Sequence, residues 1–263
     1  MNQSASHMIL VTPPDRMRAA SAYGLPIAHM AYRLGNGSHL YRANFPAMPQ
    51  GGLMMINEDQ FDGQGDIGIF CREVLRECTA KKFSGVVFDV ESPPTPALTR
   101  IISTLSEQTA RRGWSFYLPE SYTNYSKTAK IMISSALSGG TLQQRLKDAA
   151  DHYGSDRIVL CIDRSAEDFY LPAPKGAGNP LSRDELKKRI ESLAPSVFFS
   201  NELCAHYFTY MSRESGAHFI LFDDLGSIRK KISVAQEVGI QRFFLFYSQM
   251  DDILPDLLGV DNQ

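Results

Sequence analysis

The run Phe83-Ser84-Gly85-Val86-Val87-Phe88-Asp89-Val90-Glu91 sets two carboxylates at the end of an otherwise apolar stretch. As a strand it would carry Val87, Asp89 and Glu91 on one face, because strand side chains alternate. Burying a charge is costly unless it is paired. Two carboxylates held close oppose each other's ionisation, so one proton persists to higher pH. A proton kept in that way can be donated near neutral pH, which is the work of a general acid. The alternative is structural: Asp89 and Glu91 pair with an Arg or Lys inside the core.

The remaining candidates also stand at the ends of apolar runs. Tyr32 closes Pro26–Tyr32, and Asn57, with Glu58 after it, closes Gly52–Asn57. Tyr117 and Glu120 belong to Trp114–Glu120, with Tyr122 just beyond. Ser134 lies in Lys130–Ala136, Asp163 ends Arg157–Asp163 with Arg164 next, and Phe246 and Tyr247 lie in Arg242–Ser248. With His39–Phe45 and Gly85–Glu91 these runs number eight. Near-continuous hydrophobicity suits strands covered on both faces. Helical patterns alternate with them at Ile67–Ala80, Leu98–Arg112, Thr141–Tyr153, Ser182–Leu193 and Ser227–Val238, and Gly113, Gly154 and Gly239 act as stop signals. The alternation predicts an α/β fold: a (β/α)8 TIM barrel in one domain over residues 1–263. Residues from about 165 to 222 form a small α+β insertion between the seventh and eighth strands, with a hairpin turn at Ser212–Gly216. In such barrels active sites lie at the C-terminal strand ends.

The run ending at Glu91 resembles the strand signature of family 18 glycoside hydrolases, F-D-G-x-D-x-D-x-E. Phe83, Gly85, Asp89 and Glu91 match it, while Ser84 and Val87 stand where the family has aspartates. Phe222-Asp223-Asp224 with Ser227, Lys231, Ala235 and Gly239 is similar to a second run of that family. Taken alone, Asp223 and Asp224 read as helix N-caps. The resemblance extends from about Pro26 to Tyr247. It implies that Glu91 protonates the glycosidic oxygen. Asp89 would orient the substrate's 2-acetamido group, whose carbonyl oxygen attacks the anomeric carbon, with net retention. The substrate class would be a β-linked N-acetylglucosamine glycan such as peptidoglycan or chitin. Tyr32, Asn57, Tyr117, Glu120, Ser134, Asp163, Phe246 and Tyr247 are then candidate substrate contacts. Many members carry tyrosine at the place of Ser134 and tryptophan at that of Phe246. These replacements leave open a carbohydrate-binding protein with impaired catalysis on the same scaffold. A barrel enzyme of small-molecule metabolism is a third reading.

Composition narrows the partners. Of the 263 residues 43% are hydrophobic and 21% charged, with a formal charge of −2, which gives no electrostatic case for nucleic acid. No stretch reaches the ~20 apolar residues of a membrane helix. Cys71, Cys78, Cys161 and Cys204 contain no C-x-x-C pair and read as reduced, mostly buried thiols. His29, His39, His152, His206 and His218 lack metal-ligand spacing, and the pairs Gly51-Gly52 and Gly139-Gly140 lack the rest of a phosphate-binding loop. No metal or other cofactor is therefore expected. Met8–Val11 is too short for a secretory leader, which points to a protein kept inside the cell or a developing spore.

Overall fold

The structure is a computed structural model that describes residues 7–44, 49–59, 61–137, 139–172 and 178–259. Its strands, in chain order, are β1 (Met8–Thr12), β2 (Ile27–Gly35), β3 (His39–Arg42), β4 (Leu53–Glu58), β5 (Gly85–Asp89), β6 (Ser115–Pro119), β7 (Lys130–Ser134) and β8 (Ile158–Ile162). They continue with β9 (Ala166–Tyr170), β10 (Asn179–Pro180), β11 (Phe198–Ser200), β12 (Ala205–Ser212), β13 (Gly216–Phe222) and β14 (Phe243–Phe246). The helices are α1 (Met17–Ser21), α2 (Ile67–Lys81), α3 (Pro96–Arg111), α4 (Leu142–Tyr153), α5 (Arg183–Leu193), α6 (Leu225–Glu237), α7 (Tyr247–Met250) and α8 (Leu254–Leu258).

Strands β1, β14, β8, β7, β6, β5, β4 and β2 neighbour one another in that order, and β1 also pairs with β2, so the parallel sheet closes into an eight-stranded (β/α)8 barrel. Two expectations about its strands are corrected. The first barrel strand is Met8–Thr12. His39–Arg42 is no barrel strand; it folds back antiparallel on β2, with three of its four residues exposed. Phe45, the end of that expected run, lies outside the described residues. The two errors cancel in the count, so Gly85–Asp89 is still the fourth barrel strand.

Strands β2, β4, β5 and β6 divide their side chains between two apolar layers. Val11, Ala28, Leu53, Met55, Val87, Tyr117, Met132, Val159 and Phe244 fill the barrel. On the outer face Met54, Ile56, Val86, Phe88, Phe116 and Leu118 pack with Phe70, Val74 and Cys78 of α2 and Leu98, Ile101, Ile102 and Leu105 of α3. The helix starts are chemically marked. The Asp66 side chain accepts from the Gly68 N–H ahead of α2, and Thr95 accepts from Leu98 ahead of α3, where Pro96 occupies the first turn.

Between β8 and β14 the chain makes a second, antiparallel sheet in the order β10-β9-β13-β12-β11. Phe208, Ile220 and Phe222 on one face of it pack with Leu186 and Ile190 of α5. Two compact units are distinguished. One takes the described residues up to Ile133 with Asp156–Cys161 and Arg242–Ser248; the other takes the remainder. No helix of the described residues is long and apolar enough to cross a membrane.

Candidate active site

Alternation along β5 fixes the direction of Asp89. Val86, Phe88 and Val90 belong to the outer, helix-facing layer, and Val87 to the barrel interior. Asp89 is in phase with Val87, so it stands on the interior face at the C-terminal end of the strand, half-buried. Glu91 follows two residues later and is exposed to solvent. Glu91 forms no ion pair among the described residues. The local sequence accounts for the close seating of this strand. A Cβ on Gly85 would run into the Ser115 carbonyl oxygen of β6, so only glycine fits that start. Phe83, the other apolar element of the motif, is buried with its ring 5.1 Å from that of His29 and 5.9 Å from that of Tyr32.

Asn57 is the cross-strand neighbour of Asp89 on β4, in phase with the interior residues Leu53 and Met55. Its Oδ1 is buried without a hydrogen-bond partner, and so is Glu58 Oε2 beside it. A buried acceptor left unsatisfied costs about 1–3 kcal/mol, a deficit that a ligand donor would remove. Phe246, in phase with Phe244, is half-buried and packs on the interior layer at the end of β14. Tyr122, in the turn after β6, is fully buried and donates its hydroxyl to the Ser92 carbonyl at 2.7 Å. That bond holds the segment directly behind Glu91. Burial, then the charge of Glu58, pushes the Tyr122 phenol up to about 12, so it remains a donor.

In the other unit, the Ser134 hydroxyl donates to Asp163 Oδ2 at 2.6 Å, and the Asp163 N–H donates to Ser135 Oγ at 3.1 Å. Burial holds the Asp163 carboxyl above the usual range and the Asp223 charge adds to this, against the Ser134 hydrogen bond and the Lys231 charge.

Of the other expected contacts, Tyr32 points away from the barrel interior. The register of β2 against β4 shifts between His29 and Tyr32, which turns Tyr32 outward. Its ring lies in the helix-facing layer and its hydroxyl donates to Glu77 of α2 at 3.0 Å. Tyr117 does face the barrel interior, but as filling: it is buried, packs on Phe244 at 5.1 Å, and its phenol is raised by burial against the influence of Ser115 and Arg242 at the strand beginnings. Tyr247 is buried, with its ring 6.2 Å from that of Tyr23. Glu120 opens the turn after β6 and is half-buried.

The second motif resolves into structural chemistry. Asp224 caps α6 by accepting from the Ser227 N–H, and Ser227 returns a bond to the Asp224 N–H at 2.9 Å, a capping box. Asp223 is not a cap: its Oδ2 accepts from Lys231 Nζ at 2.7 Å and its Oδ1 from Ser227 Oγ at 2.8 Å, with both charged side chains buried. Ala235 is buried and Gly239 takes φ +84° after the helix. No group of three His, Cys, Asp or Glu side chains that could hold a metal ion occurs among the described residues.

No family model matches the sequence. The structure is similar to that of the chitinase from Chromobacterium violaceum ATCC 12472, with TM-score 0.72 at 13% identity over 97% of this chain and 98% of that one. It is similar to the spore cortex-lytic enzyme SleL of Bacillus megaterium QM B1551, with TM-score 0.67 at 12% identity over 93% of this chain and 71% of that one. A family 18 chitinase from Cycas revoluta, in complex with allosamidin, gives TM-score 0.63 at 13% identity over 95% of this chain and 98% of that one. The chain thus has the barrel fold of the family 18 chitinases and the SleL enzymes.

Proposed function

We propose that this protein is a glycoside hydrolase acting on β-linked N-acetylglucosamine-containing glycan, with Glu91 as general acid and base. The observation that carries the reading is the end of β5: Asp89 on the interior face and Glu91 two residues beyond, exposed and free of an ion pair among the described residues. Support also comes from the fold, shared with a chitinase and with the spore cortex-lytic enzyme SleL. In the proposed reaction Glu91 gives its proton to the glycosidic oxygen as that bond breaks. The substrate's acetamido oxygen closes on the anomeric carbon, with Asp89 orienting the acetamido group. Glu91 then takes a proton from water as water opens the ring, and configuration is retained. Asn57 Oδ1, buried and unpartnered, would accept from a sugar hydroxyl or amide N–H. Phe246 would offer its ring face to a sugar.

A binding protein on the same scaffold is the second reading. It is favoured by Val87, an apolar side chain packed in the interior layer directly behind Asp89, where it cannot share a proton. Chromogenic N-acetylglucosamine oligomers and purified peptidoglycan, each incubated with wild type and Glu91→Gln, separate the two. Turnover by the wild type that falls at least about 100-fold in the variant supports hydrolysis. Binding by both proteins without turnover supports the second reading, and binding by neither removes both.

A further inference from the structure

Ser215, His218 and Asp168 form a hydroxyl–imidazole–carboxylate relay in the antiparallel sheet, remote in sequence from Asp89 and Glu91. Ser215 Oγ lies 2.7 Å from His218 Nε2, and His218 Nδ1 lies 2.8 Å from Asp168 Oδ1. The sheet sets this spacing. His218 pairs with Tyr170 and Ile220 with Asp168, so the imidazole on β13 and the carboxylate on β9 are diagonal neighbours on one face. Ser215 stands in the hairpin turn, where Gly216 at φ +85° starts β13. Tyr210 stacks on the imidazole at 4.6 Å and 14°, and the Tyr170 ring meets it at 5.6 Å, so the ring is held from both neighbouring strands.

The protonation pattern follows from Asp168. Burial raises its carboxyl, but the hydrogen bonds from Arg189 and His218 and the Arg189 charge outweigh burial and hold it below the usual range. An ionised carboxylate only accepts. Nδ1 of His218 therefore carries a proton toward Asp168, and in the neutral imidazole Nε2 is left as the acceptor that faces the Ser215 hydroxyl. That is the arrangement of a nucleophile with its base and the base's orienting acid. The base is sheltered, with the imidazole side chain 11% and the carboxylate 8% exposed. The Tyr170 ring beside Gly216 is 51% exposed and gives a flat apolar group a surface next to Ser215.

We propose that Ser215 is an activated nucleophile that cleaves carboxylic esters of small acids, aryl esters foremost. Ser215 Oγ bonds to the acyl carbon while His218 Nε2 takes the hydroxyl proton. The bond from the acyl carbon to the leaving oxygen breaks, the electron pair stays on that oxygen, and His218 protonates it. Water then attacks the acyl-Ser215 carbon and gives a proton to His218. The acid leaves as Ser215 recovers its proton. Aryl esters suit a site built around a base, because a phenolate leaves with little protonation.

The test uses the full chain with 4-nitrophenyl acetate. The wild type is expected to release 4-nitrophenolate at least about 100-fold faster than Ser215→Ala or His218→Gln. Acid quenching and peptide mass spectrometry should find the acetyl group on Ser215. A fluorophosphonate should label the same residue in the unaltered protein. Equal rates for wild type and Ser215→Ala, or acetyl and phosphonyl groups found only on other side chains, would overturn the proposal. Ser215→Ala changes a turn residue, and labelling needs no variant, so a misfolded His218→Gln leaves the test intact.

Discussion

Acidification should remove about 3 kcal/mol of stability through one side chain, His29. Its imidazole is 1% exposed, Nε2 is 3.1 Å from the Gly51 carbonyl oxygen, and Nδ1 is buried without a partner. Burial dominates and lowers its pKa from 6.5 to about 4, the Gly51 contact opposing. In the window between those values the unfolded chain binds a proton that the native chain refuses. Stability is therefore complete above pH 6.5 and is lost as pH falls through 4. At 1.36 kcal/mol per pH unit the loss is about 2 kcal/mol by pH 5 and about 3 kcal/mol by pH 4. Urea unfolding followed by far-UV circular dichroism across pH 7 to 4 would measure it in wild type and in His29→Gln, which keeps an N–H for Gly51. The variant starts less stable at pH 7, because it loses packing against Phe83, but its curve should fall by about 3 kcal/mol less. Parallel curves, or an imidazole that titrates by NMR between about 6 and 7, would refute the reasoning.

Two other perturbations have defined outcomes. Asp223→Ala leaves the Lys231 ammonium buried and unpaired, and should cost about 3–5 kcal/mol in chemical unfolding; Asp223→Leu combined with Lys231→Met should recover most of that, since an apolar pair needs no counter-charge. Tyr122→Phe removes the 2.7 Å bond to the Ser92 carbonyl; it should cost about 1 kcal/mol and speed hydrogen exchange at residues 90–92 more than elsewhere in the barrel.

The barrel was legible because strands covered on both faces are written as apolar runs and helices as capped periodic segments. Observed α2 through α6 begin and end within two residues of the expected patterns. What failed was local. Met8–Thr12 is only five residues long and reads as a fragment of a leader until its partners are known. His39–Arg42 has strand-forming residues, but exposure on three of the four marks a hairpin flap. The direction of Tyr32 depends on a shift in register, which alternation cannot reveal. Asp89 needed no such information: Val86 and Phe88 fix the outer face and Asp89 takes the other, whereas Glu91 lies beyond the end of the strand, where alternation gives no direction. The relay of Ser215, His218 and Asp168 joins residues up to 50 positions apart, and no spacing in the sequence announces it.

Pairing of β1 with β14 joins Met8 to Phe243 and Val11 to Phe246. During synthesis, the cylinder cannot seal until that late segment leaves the ribosome. Until then the nascent sheet has two raw flanks, β1 on one side and β8 on the other, each able to recruit a foreign strand. So distant a join also slows the final step of assembly, since loop entropy must be met before its contacts form. A protein truncated before Arg242 should retain helical signal yet aggregate, whereas moving the break point to the β3 flap would place β14 and β1 side by side in one contiguous stretch and shorten the wait.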